Sequence, residues 1–319
     1  MKPKVVFHLT LAVLTLGLLT NSSWAQTKNL EAIATLKFYA AAQGISFPAG
    51  ANPSAVLFDG SSIWVASGRS RFITKLRASD GGKLAAFPTP DFANSIAFDG
   101  ANIWLTNPHQ RAVSKMRASD GVLLGTFLVG TNPGAGLAFD GANVWVSNSF
   151  DNTVSKLRGS DGASLGTFPT GLGPSGVAFD GANIWVANNI DGSVTKLRGR
   201  DGANLGTFPT GHGPWKVAFD GSRIWIANAF SNSVTKLRPS DGLNQGTFLV
   251  GNAPVALAFD GVSMWITNAG DNTVTRLRST DGVNMGTFPT GRVPIGIAFD
   301  GTNMWVTNNA DTNGTVSKL

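Results

Sequence analysis

Of the chain's 319 residues, 18 are Asp, but only one is Glu (Glu31) and three are His, of which His8 lies in an N-terminal apolar stretch. General acid–base catalysis needs a positioned acid and base, commonly a His or a carboxylate held in an unusual environment. The Asp residues are mostly spoken for by a repeat. Seven follow Phe in Phe-Asp-Gly, beginning at Asp59, and six stand in a second Asp-Gly turn: Asp80, Asp120, Asp161, Asp201, Asp241 and Asp281. Four more, Asp151, Asp191, Asp271 and Asp311, occupy one repeated loop, so Asp91 alone breaks the pattern. His109 and His212 fall almost half the sequence repeat array apart, which argues against a shared metal or a catalytic pair between them. With no Cys there is neither a disulfide framework nor a thiolate site. The inventory predicts no catalytic set, no metal and no cofactor.

The basic residues are periodic as well. Lys156 and Arg158 recur as Lys75/Arg77, Lys115/Arg117, Lys196/Arg198, Lys236/Arg238 and Arg276/Arg278. Such a row could face nucleic acid or an acidic membrane. Each Arg, however, lies three residues before a turn Asp, a spacing that local pairing explains, so nucleic acid is not the expected partner.

The elements that would position these residues follow from the same repeat. Phe-Asp-Gly starts at Phe58, Phe98, Phe139, Phe179, Phe219, Phe259 and Phe299, and a Trp follows each Phe six residues later, from Trp64 to Trp305. The stretch from Val177 to Pro214 contains four short β-type runs: Val177–Phe179, Ile184–Ala187, Val194–Arg198 and Leu205–Phe208. Asp180-Gly181 and Asp201-Gly202 read as hairpin turns, where Asp tolerates and Gly favours positive φ. Four strands in about 40 residues make one blade, and seven units predict an all-β, seven-bladed β-propeller of four-stranded antiparallel blades over 44–319. The seventh unit ends on its third strand at Leu319, and Gly44–Gly50 matches the missing fourth in register, so the N-terminal strand is expected to complete the last blade and remove an open edge. A linear solenoid is the alternative that this match disfavours. The repeated Trp, like the two Phe classes, is expected between blades rather than in a ring for sugars or bases.

The blade, with a strand, an Asp-Gly turn, a strand ending Trp185-Val186-Ala187-Asn188, two further strands and a closing Gly-x-x-Pro, resembles the bacterial YVTN-type (YncE-like) propeller repeat, related to NHL-type propellers. The resemblance covers residues 44–319 and implies the propeller fold. Related streptogramin lyase-like and gluconolactonase-like propellers share such a blade, which implies an alternative function: an enzyme with a metal-assisted site at the channel mouth, for which Asp91, Asn94, His212 and a few loop Asn are the available ligands.

Chain direction places the Asp-Gly turns on one face and the loops after the second and fourth strands on the other. The first face is nearly uniform and the second varies from unit to unit. Candidate binding residues are therefore the ones that break the repeat there: Asp91, Phe92, Asn94, His109, Phe150, His212, Trp215, Lys216, Phe230 and Arg292. Large side chains on such loops suit a protein, peptide or glycan partner, or else reflect drift of solvated loops. The expectation is a non-catalytic binding scaffold acting through this variable face as a monomer.

Residues 1–25 read as a signal peptide: Lys2 and Lys4, an apolar run from Val5 to Thr20, and Ser23-Trp24-Ala25 before a cleavage point. The run is too short and too interrupted for a comfortable membrane span. Residues 26–43 read as a lead-in. Removing two of the 25 Lys and Arg lowers the net charge from +6 to +4 (23 against 19 acidic). A periplasmic or extracellular protein is expected.

Overall fold

The computed structural model describes residues 45–309 and 314–319. The expected signal peptide and lead-in lie outside the described residues, as does Asp311. Seven four-stranded antiparallel sheets follow one another round a ring, so the chain is a seven-bladed β-propeller. The fourth blade is typical, with strands Pro174–Phe179, Asn183–Asn188, Ser193–Arg198 and Asn204–Pro209. Each strand extends the run expected from sequence by one to three residues, because polar and Pro positions at the ends still join the ladder. The only helical element among the described residues is a 3₁₀ turn, Pro108–Gln110. No helix among them is long and apolar enough to cross a membrane.

The ring closes as the sequence predicts. Strand Ile45–Gly50 pairs antiparallel with Gly314–Lys318, with Phe47 opposite Val316, and so becomes the fourth strand of the blade that begins at Pro294. Phe47 lies 5.7 Å from Trp305, repeating the Trp–Phe contact of the other blades.

One side-chain assembly is repeated round the ring. Each Trp donates its indole N–H to the Asp of its own Phe-Asp-Gly at 2.6–2.8 Å. The other oxygen of that Asp accepts the backbone N–H groups two and three residues on, as Asp140 does from Ala142 and Asn143. The turn Asp thus works through its carboxylate as an Asx turn, and positive φ falls on Gly, 94° at Gly141. Burial pushes the Asp140 carboxyl up, and the Trp145 and backbone donors more than offset this, leaving it below the usual carboxylate range. Trp145 is buried and packs with Ile184 and Val186 of the next blade, the inter-blade position expected of it.

The repeated Lys does not form a surface belt. Its ammonium lies over the Trp ring of its own blade, at 4.9 Å for Lys156, and donates to backbone carbonyls of the next blade, Gly199 and Arg200 for Lys156 and Ala118 for Lys75. Lys318 makes the same bonds to Ala78 and Ser79, bridging the seventh blade to the first. The sixth blade has Arg276 here, which instead bonds Ser263 and Asp260 of its own blade. The exposed Arg of each pair meets its turn Asp as the spacing predicts, for example Arg158 to Asp161 at 3.0 Å.

Candidate functional site

A cavity of about 540 Å³ lies where the innermost strands converge. It opens on the face of the variable loops, since its wall includes Asn132 and Gly173 ahead of first strands and Arg69, Phe150 and Ile190 behind second strands. The position four residues before each Phe-Asp-Gly contributes one side chain per blade: Ser54, Asn94, Ala135, Ser175, Trp215, Val255 and Ile295. Successive side chains of a strand point to opposite faces, and this position is the one turned to the axis. No two neighbouring blades repeat a residue there.

The next position along the strand lies where inner strands abut. It is Ala55, Ser95, Gly136, Gly176, Ala256 and Gly296 in six blades, and Lys216 in the fifth. The room is small. A Cβ on Gly176 would stand 2.6 Å from Lys216 Cα and 2.8 Å from Trp215 O. Lys216 therefore departs from the repeat where a long side chain has least space, and its stem runs along the cavity wall until Nζ donates to Ala135 O, two blades away. Burial pushes the Lys216 ammonium down to about 8. Trp215 and Lys216 belong to the strand Pro214–Phe219 rather than to the loop in which the sequence places them. Trp215 is 38% exposed, unlike the seven buried Trp of the repeat.

The other sequence candidates separate into groups. Asn94 and Phe150 join Trp215 and Lys216 in the cavity wall. Phe230 stands at the rim, 75% exposed, with its ring over Gly213 and its backbone N–H bonded to His212 O. His212 and Arg292 are exposed and lie outside the cavity wall.

Asp91, Phe92 and His109 form a separate cluster on the second blade. The buried Asp91 carboxylate accepts the backbone N–H of His109 at 2.9 Å and lies 3.1 Å from His109 Nδ1. Phe92 meets the imidazole edge-on at 5.5 Å, and the Arg71 guanidinium lies 5.8 Å from the Phe92 ring. Burial pushes the Asp91 carboxyl up, and the His109 side chain with the Phe92 and His109 backbone N–H groups brings it below its usual range. This pairing, which the sequence reading did not anticipate, ties an inter-blade loop to the 3₁₀ turn.

Arg69, Asn132, Ser149, Asn189 and Ile190 also line the cavity and were missed. Aligning the units on Phe-Asp-Gly and Trp would have found Arg69 and Ile190, because the position five after each Trp reads Arg69, His109, Phe150, Ile190, Phe230 and Gly270 over six blades. Among the described residues, the cavity wall holds two cations, five Asn and several apolar groups, and no His, Asp or Glu. No three His, Cys, Asp or Glu among the described residues are grouped to hold a metal. Amides, hydroxyls, an ammonium and an indole in one concave wall can orient a ligand by hydrogen bonds and apolar contact.

No family model matches the sequence, and a search of curated proteins finds no match. Solved structures share the fold. The chain superposes on hydrazine synthase of Kuenenia stuttgartiensis with a TM-score of 0.73 at 18% identity, covering 85% of this chain and 96% of that one. A streptogramin B lyase structure gives 0.73 at 17%, covering 88% and 99%. U3-55K gives 0.73 at 14%, covering 84% and 96%. At these identities the likeness is one of fold. The class it defines is the seven-bladed β-propeller, and the likeness to the YVTN-type repeat rests on the blade residues themselves.

Proposed function

We propose that the chain is an exported, non-catalytic β-propeller of the YVTN type that binds a protein, peptide or glycan at the central mouth of its variable face. One observation carries the reading: the axial position of each blade is diversified through Ser54, Asn94, Ala135, Ser175, Trp215, Val255 and Ile295 while the opposite Asp-Gly face stays uniform. In a repeat array, copies held alike maintain the ring, and positions released from likeness are free to read a ligand. The streptogramin lyase-like alternative draws on shared fold, and the described residues of this cavity wall include no imidazole or carboxylate to support it.

The test is capture from an envelope extract by the wild type and by a Trp215→Ala/Phe230→Ala variant, with thermal unfolding followed in parallel. The variant is expected to lose the captured species and unfold at a temperature little changed. Equal capture by both proteins overturns the assignment of the site.

A further inference from the structure

Two cations line the cavity, and no carboxylate among the described residues of its wall neutralises them. Lys216 Nζ has three N–H donors and donates one hydrogen bond, to Ala135 O. Arg69 lines the same cavity from the first blade, and its guanidinium makes no hydrogen bond or ion pair among the described residues. With no carboxylate among the described residues of the wall, both cations contribute positive potential to the cavity.

The rim above is asymmetric. Phe150, Ile190 and Phe230 occupy equivalent positions on three consecutive blades and are 74%, 72% and 75% exposed. Large apolar groups exposed at equivalent positions of consecutive blades mark a surface suited to contact with a ligand. Phe150, Ile190, Trp215 and Lys216 line the same cavity.

We infer that the cavity receives an organic acid whose carboxylate is held by Lys216 and whose aromatic or branched apolar group lies on Trp215 and the Phe150–Ile190–Phe230 arc. The inference rests on the mouth being the binding site; a peptide chain end would be the ligand of the proposed function, and a free acid would replace it at the same site. A monoanion suits the position better than a phosphate. The Ala135 carbonyl beside the ammonium opposes a second negative charge, and phosphate sites ordinarily converge an Arg fork or several backbone N–H groups on one anion. The volume of about 540 Å³ falls within the range of small-molecule sites, roughly 300–1,000 Å³. The same chemistry is presented by a free aromatic acid and by the C-terminal residue of a peptide.

Calorimetric titration of the purified protein with N-acetyl-L-phenylalanine and with its primary amide tests this directly. The acid is expected to bind at least about tenfold more tightly than the amide, the scale of one charge-assisted hydrogen bond. Lys216→Gln is expected to abolish that preference. Arg69→Gln, on an exposed loop, is expected to weaken the acid and flatten its salt dependence, so the test survives if the Lys216 variant folds poorly. A Gly-Gly-Phe peptide acid that binds more tightly than the N-acetyl acid assigns the site to chain ends, and the reverse order assigns it to free acids. Equal binding of acid and amide, or no binding of either at millimolar concentration, overturns the inference. Mouth-dependent capture that persisted in that case would leave the wider binding function standing.

Discussion

Two lysine environments separate what builds this molecule from what it can do. Lys156 and the equivalent lysines lie on a Trp and bond carbonyls of the next blade, two for Lys156 and one for Lys75, so their charge is used in holding the ring. Lys216 has one carbonyl partner, and its burial lowers its pKa from 10.5 to about 8. The lowered value means the folded protein disfavours the ammonium, so the penalty is full below about pH 8 and is relieved as pH rises toward 10.5, where the unfolded chain also loses its proton. Lys216→Met is therefore expected to raise the urea midpoint at pH 7, with the gain shrinking as pH climbs through that interval. An equal or lower midpoint at pH 7 would contradict this account of Lys216. A residue that costs stability where six blades carry a small side chain has the signature of a functional position.

At the scale of strands and turns, a Phe laid over a Gly adds to the Trp and Lys contacts that join one blade to the next. In the closing pair, a Cβ on Gly81 would stand 2.4 Å from the Phe47 ring, whereas Gly60, also at positive φ, has nothing within 4 Å of the equivalent point. Both Gly→Ala changes strain the turn. Gly81→Ala must also displace Phe47, and it is expected to cost about 1–3 kcal/mol more than Gly60→Ala in urea denaturation. Equal costs would mean that the N-terminal strand does not pack against the first blade in solution.

The strands were legible in the sequence because the first, second and fourth of a blade are each marked by a repeated Phe or Trp, and the third by its Lys-x-Arg ending just before an Asp-Gly turn. The role of the third-strand Lys was less so. Its acceptors lie 43 or 44 residues away in the next blade, and only the ring geometry brings them to its ammonium. Lys216 is the same case at longer range. Its partner Ala135 is 81 residues away, so the sequence flagged it as a break in the repeat but placed it on a loop. Asp91 and His109 were each singled out, while their pairing depends on the 3₁₀ turn that Pro108 starts, which the repeat does not foretell.

For the whole molecule, the ring sets a uniform face against a diversified one, with the cavity at the centre of the second. The outer strands are also exposed and carry apolar groups, Leu84 at 45% and Leu249 at 79%, so exposure alone does not single out the mouth. What does is the convergence of differing side chains from all seven blades on one cavity whose described wall residues include Lys216 and Arg69 and no carboxylate. The most direct measurement is photocrosslinking in the producing cell, with the reactive side chain placed in turn at Phe150, Phe230, Leu84 and Leu249. Discrete adducts from Phe150 and Phe230, absent from Leu84 and Leu249, are the predicted result. Adducts from the outer strands alone, or equally from all four positions, would contradict the claim that this propeller works through its mouth.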